Sequence, residues 1–189
     1  MTAQPDARRT VRPLSVEPPW CAPPDGDHRA LRSVLGRFAT GITVLTSADG
    51  DLVHGMTANA FSSVSLDPPL VLVCVQQGAL MLETIAANKA FGVSILSAGQ
   101  EHLARYFASR ARPAGRAQFD AVDWAPGPFT TAPLLSGAVA WLECELQSVH
   151  EGGDHLIFVG RVLSLGSGAE PDALLFFGGN YHRVGSSFA

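Results

Sequence analysis

The chain has 189 residues, 47% of them hydrophobic, and a net charge of −4. That composition suits one domain with a sizeable core and excludes an intrinsically disordered chain. Lys89 is the only lysine and no basic run exists, so no nucleic-acid footprint is expected, and no apolar run approaches the ~18 residues of a membrane span.

Residues 1–26 are rich in proline and charge and read as a flexible arm, leaving 27–189 as the folded domain. Arg8, Arg9 and Arg12 are not followed by an apolar stretch, so no signal peptide is expected. Cys21, Cys74 and Cys144 lack CxxC spacing, which points to a reducing, cytoplasmic setting. Asp27 is placed to cap a helix to about Phe38, with Leu31, Val34, Leu35 and Phe38 on one face. A strand over 41–47 turns at Asp49-Gly50 into a second strand over 52–61. After Asp67, Pro68 and Pro69, a pure β-former run over 70–75 predicts a third.

A short helix is predicted over 80–88 and a strand over 91–96. Ser97 and Gln100 have capping-box spacing ahead of a helix carrying Leu103, Tyr106 and Phe107. Residues 109–135 read as irregular, and a loop of that length is usually functional or disordered. Over 138–149, Ala140, Leu142, Cys144 and Leu146 alternate with Glu143, Glu145 and Gln147, the mark of a half-buried antiparallel strand. The turn at 151–154 leads into a strand over 156–165, and a short one over 174–177 precedes GGNYHR. About seven strands joined by tight turns, with three helices, predict a closed or nearly closed antiparallel barrel with its helices outside.

The stretch 54–75, HGMTANAFSSVSLDPPLVLVCV, is the most informative. Small hydroxyl-bearing residues beside a buried strand offer a surface on which a flat, polar-edged molecule lies close to backbone. The usual nucleotide signatures, GxGxxG and GxxxxGK, are absent, as are GxSxG, HExxH and zinc-type spacing.

GMTANAFSSVSLDPPLVLVCV, preceded by FATGITVLTS and followed by GDHLIFVGRV and LLFFGGNYHRV, resembles the flavin reductase-like family, over roughly residues 30–184. These are the small reductase components of two-component flavin monooxygenases. The resemblance implies a mainly β fold with flanking helices, a split β-barrel of the FMN-binding type, usually as a homodimer. It also implies NADH- or NADPH-dependent reduction of FMN or FAD and delivery of reduced flavin to a partner monooxygenase. Met56, Thr57, Ala58 and Asn59 are expected to supply donors to the ring edge, with Ser62 and Ser63 further along. By similarity, Cys74, Val75, Gln76 and Gln77 line the ring and ribityl region. His155 in the Gly153-Asp154-His155 triplet is expected beside the nicotinamide, orienting its carboxamide or stabilising anionic reduced flavin. Tyr181 borders the pocket or packs in the terminal strand. Phe107 and Phe119 flank the long loop and read as core in preference to a cover over the ring, and His54, His102 and His150 read as surface or satisfied histidines.

One departure stands out. Where family members often carry a Ser-x-Thr pair for the flavin phosphate, this chain has Ala79 and Met81. Lys89 and the amides opening the 80–88 helix are the expected substitutes. The departure keeps a non-catalytic flavin-binding module open; a flavin-dependent oxidase on the same fold is a second alternative, against which the Gly-Asp-His triplet with His155 argues. The preferred flavin, the preferred nicotinamide nucleotide and the partner oxygenase are not specified by these residues. Arg105, Arg110, Arg112 and Arg116 are the basic residues available to a dinucleotide.

Overall fold

Two adjacent residues in one strand, Val44 and Leu45, are both fully buried. They point to opposite faces, so this strand separates two hydrophobic cores. The computed structural model describes residues 28–184. The arm, Cys21 and the proposed Asp27 cap lie outside the described residues.

Helix α1 (Arg29–Leu35) leads through the short β1 (Thr40–Gly41) into β2 (Thr43–Asp49), β3 (Leu52–Ala58), β4 (Phe61–Leu66) and β5 (Pro69–Gln76). Then come α2 (Leu80–Asn88), β6 (Ala90–Ile95), a 3-10 turn at Ala98–Gln100 and α3 (Glu101–Ala108). The chain continues through a 3-10 turn at Gly115–Phe119 to β7 (Trp124–Pro126) and β8 (Pro133–Leu135). Long strands β9 (Ala140–Gly152) and β10 (His155–Ser167) follow, then β11 (Leu174–Phe177) and β12 (Asn180–Arg183). No helix among the described residues is long and apolar enough to cross a membrane.

Seven strands form one antiparallel sheet in the order β3-β2-β6-β9-β10-β5-β4. Leu45, Ala58, Val73, Val75, Phe91, Val93, Cys144 and Phe158, drawn from six of these strands, meet in one core, capped by Met81 and Ile85 of α2. A sheet whose far-apart strands share one core must curl around it. The curl does not close. β3 and β4 remain the two edges, linked through the chain at Asn59 and Ala60. The barrel is therefore split, as the resemblance implies, which is the nearly closed form of the barrel that the strand pattern suggests. The predicted strand over 52–61 breaks at Asn59 and Ala60 to allow this.

The second core gathers Ile42, Val44, Val53, Leu96, Ala104, Phe107, Phe119, Leu135 and Leu174 beneath α3. Phe107 and Phe119 are core residues, as expected. The Ser97–Gln100 capping box forms, opening the 3-10 turn that leads into α3. The predicted alternation in β9 fails at one position: Glu143 is fully buried, not solvent-facing. The apolar face of α1 also departs from expectation. Leu31, Val34, Leu35 and Phe38 are 41%, 69%, 60% and 76% exposed, so nothing among the described residues covers them.

Candidate functional site

Strand β3 has a partner on only one side, and its free edge builds the site. Gly55 shows which backbone groups face outward. Its N–H donates to Gln118 Oε1 at 2.8 Å and its carbonyl accepts from Arg112 Nη2 at 2.7 Å. The Val53 carbonyl accepts from Gln118 Nε2 at 3.1 Å. Outward groups repeat every second residue along an edge, so Thr57 is next, and its outward backbone groups meet a cavity of about 600 Å³. The Thr57 hydroxyl is already committed, donating to the Ala104 carbonyl at 2.7 Å. Its donor for a ligand is thus backbone, not side chain.

Gly55 itself has a different purpose from the one the sequence suggests. A Cβ there would lie 2.8 Å from the Phe107 ring and 3.0 Å from Phe119. Its smallness admits these two aromatics against β3 rather than a ligand.

The cavity is walled by His54, Met56 and Thr57 of β3, by Gln76 to Leu80, and by Phe107 to Ala114 at the end of α3. Arg112 staples that last segment to β3. Besides Gly55, it donates to His54 Nε2 at 3.1 Å and to the Ser109 carbonyl. Accepting from Arg112 places the His54 proton on Nδ1, a buried atom with no partner. Burial first, then the Arg112 charge, pushes the His54 pKa down to about 4. His54 is therefore a neutral imidazole at physiological pH.

On the opposite side of the sheet opening, β5 ends at Gln76, which pairs in register with His155, the first residue of β10. Gln77 holds the β9–β10 turn: its amide donates to the Asp154 carbonyl at 2.9 Å and its Nε2 to the Gly153 carbonyl at 2.8 Å. His155 Nδ1 lies 2.7 Å from Asp154 Oδ1. The Asp154 carboxyl is held below its ordinary pKa by that hydrogen bond. The pairing leaves His155 Nε2 for another partner.

Of the residues expected at the site, the structure brings Met56, Thr57, Gln76 and Gln77 to the cavity wall. Ala58 and Val75 are buried in the first core, directly behind it. Asn59, Ser62 and Ser63 are exposed where β3 gives way to β4. Cys74 is partly buried, and burial raises its thiol pKa. His155 stands one strand from the wall. Lys89 and Tyr181 do not line the cavity. Lys89 is the C-cap of α2, whose N-terminal end meets the cavity, and Tyr181 packs on Phe176 at 5.4 Å with the Arg105 guanidinium 4.8 Å above its ring. Met81 is fully buried in the core, so only Ala79 of the departing pair faces the cavity.

Sequence reasoning missed His54 and the specific contribution of the 108–114 segment. The signals are present: His54 directly precedes GMTANA, and a loop as long as 109–135 is usually functional or disordered. What could not be read was that Arg112 folds back onto His54.

A planar ring with polar edges requires an apolar wall and donors along one rim. Met56, Phe107 and Leu80 supply the wall; the free edge at Thr57 and the Gln76 side chain supply the rim. The residues present fit a flavin ring.

The flavin reductase like domain model matches residues 35–185. The chain is similar to the NADH-dependent FAD reductase of Streptomyces globisporus, with 50% identity over 83% of this chain and 86% of that protein. It is similar to the reductase subunit HsaB of a flavin-dependent monooxygenase of Mycobacterium tuberculosis, with 37% identity over 84% of this chain and 83% of that one. Its fold is similar to the crystal structure of BorF, the flavin reductase component of a bacterial two-component tryptophan halogenase. That match has a TM-score of 0.80 and 48% identity, covering 84% of this chain and 98% of BorF.

Proposed function

This chain belongs to the flavin reductase like domain family, and from that membership we propose how it works. It is a flavin reductase that uses a reduced nicotinamide nucleotide and supplies reduced flavin to a monooxygenase component. The similar Streptomyces globisporus protein is an NADH-dependent FAD reductase, which favours NADH and FAD as the substrates here. The flavin supplies the redox chemistry, accepting a hydride at N5 from nicotinamide C4, and leaves as product. The protein contributes proximity and orientation.

The observation that carries this reading is the cavity at the free edge of β3. Thr57 backbone groups and the Gln76 side chain hold the ring edge. Met56 and Phe107 flank its faces, and Ala58 and Val75 stiffen the wall from behind. Asn59, Ser62 and Ser63 offer polar groups past the end of β3, and Cys74 sits on the strand behind Gln76. His155 orients the nicotinamide from the β9–β10 turn. The direct test is steady-state NADH and NADPH oxidation with added FMN, FAD and riboflavin. We expect flavin-stimulated oxidation with at least NADH; no stimulation with either nucleotide refutes the reading.

The functional unit we infer is a homodimer. Its support is the uncovered row Leu31, Val34, Leu35 and Phe38, an apolar surface that monomers seldom expose. A sedimentation mass of one protomer at micromolar concentration would contradict it; we expect twice that mass.

A further inference from the structure

Resting on the reductase reading, we propose that Arg110 is the cation that binds the flavin phosphate in this chain, replacing the hydroxyl pair absent at Ala79 and Met81. The cavity concentrates positive charge in a chain of net charge −4. Its lining includes Arg110 and Arg112 but no aspartate or glutamate, and His54 is neutral. The same lining includes Gly78, Ala79 and Leu80, the segment where the hydroxyls are missing. Two cations and that segment therefore border one space.

The two arginines differ in what they have left to give. Arg112 is spent on Gly55, His54 and the Ser109 carbonyl, so it adds charge and anchors the segment. Arg110, two residues before it, is exposed, lines the cavity, and makes no hydrogen bond or ion pair within the described chain. A guanidinium anchored close by but unpaired suits a phosphate, whose oxygens it engages two at a time. Helix α2 begins at the same wall with Ala79, which gives no side-chain cap, so its opening amides add to the positive potential. Glu83, the acidic residue in that first turn, does not line the cavity.

A flavin phosphate is distinguished from a nicotinamide nucleotide phosphate by comparing FMN with riboflavin in the full-length protein. For wild type, quenching of flavin fluorescence should show FMN bound more tightly than riboflavin. In Arg110→Gln the FMN-to-riboflavin affinity ratio should fall about tenfold, the effect of one charge-assisted hydrogen bond. The matching ratio of kcat/KM should fall in parallel, and Arg110→Lys should restore part of both. Equal wild-type affinity for FMN and riboflavin overturns the proposal, and so does an unchanged ratio in Arg110→Gln. A rise confined to the KM for NADH assigns Arg110 to the dinucleotide and also overturns it. An Arg110-dependent preference for FMN with no NADH or NADPH oxidation sustains the phosphate site and refutes the reductase reading instead.

Discussion

His155→Ala should slow flavin reduction by about 10- to 100-fold while changing flavin affinity by less than about threefold. β9 and β10 are joined by Gly153 and Asp154, with Gly153 at φ 74°. Gln77, the residue after β5, clamps both carbonyls of that turn. His155 is thus fixed in position relative to Gln76, which lines the cavity. Asp154 fixes which imidazole nitrogen is free. A side chain so prepared, yet outside the flavin wall, suits the second substrate better than the first. Losing it should leave the flavin bound and the nicotinamide poorly aligned, and a small misalignment of reacting atoms is costly in rate. Single-turnover stopped-flow reduction of protein-bound flavin measures this directly. An unchanged reduction rate would remove His155 from the reaction. His155→Gln, which keeps a polar group at that position, should recover part of the rate.

The contrast between what was legible in the sequence and what was not has a physical basis. The Asp49-Gly50 turn, the prolines at 68 and 69, the Ser97 capping box and, Glu143 apart, the alternation of β9 are local signals, and each is realised where local chemistry places it. The residues of the cavity wall were legible for the same reason, because Met56 and Thr57 fall at the end of β3 and Gln76 and Gln77 at and just past the end of β5. Barrel closure is not local: it depends on whether β3 and β4 pair, and they are consecutive strands at opposite edges of the sheet. The roles of His54 and Arg112 are likewise set by a contact between residues 58 positions apart. Lys89 shows the limit of distance along a helix. Charge alone suggested it for the phosphate, but the nine residues of α2, about 13 Å of helix, separate it from the end that meets the cavity. α1 was read correctly as amphipathic, yet its apolar face turns away from the protomer's own core.

The alternation of β9 predicts a solvent-facing Glu143; its burial instead predicts a large loss of stability on substitution. Its Oε1 accepts from the Phe129 amide at 3.0 Å, the Thr130 amide at 2.8 Å and the Thr130 hydroxyl at 2.9 Å. Its Oε2 accepts from the Ser164 hydroxyl at 2.5 Å. A register shift in β10 between Val162 and Ser164 sets Ser164 opposite Glu143, and Gly127 makes room for the carboxylate: a Cβ there would lie 2.2 Å from Oε1. Four donors and no cation satisfy a buried charge. Glu143→Ala strands those donors, at roughly 1–3 kcal/mol for each that finds no water, so we expect a total loss of about 3–5 kcal/mol. Glu143→Gln keeps one acceptor oxygen and should lose less, about 1–2 kcal/mol. The pH dependence separates the charge from the packing. Burial raises the Glu143 pKa, but its hydrogen bonds outweigh that and hold it below the ordinary value of 4.5. A depressed carboxylate stabilises the fold at neutral pH, and that contribution is lost as pH falls below about 4.5 through the folded value. His54 acts in the same direction over a higher window: depressed from 6.5 to about 4, it costs stability as pH falls between those values. His54 is present in both proteins, so it cancels from their difference. Denaturant unfolding of wild type and Glu143→Gln should therefore show a gap at pH 7 that narrows below pH 4.5. Equal stabilities at pH 7 would mean that the buried carboxylate is no more stabilising than a neutral amide. A gap constant down to acid pH would assign the loss to packing rather than charge.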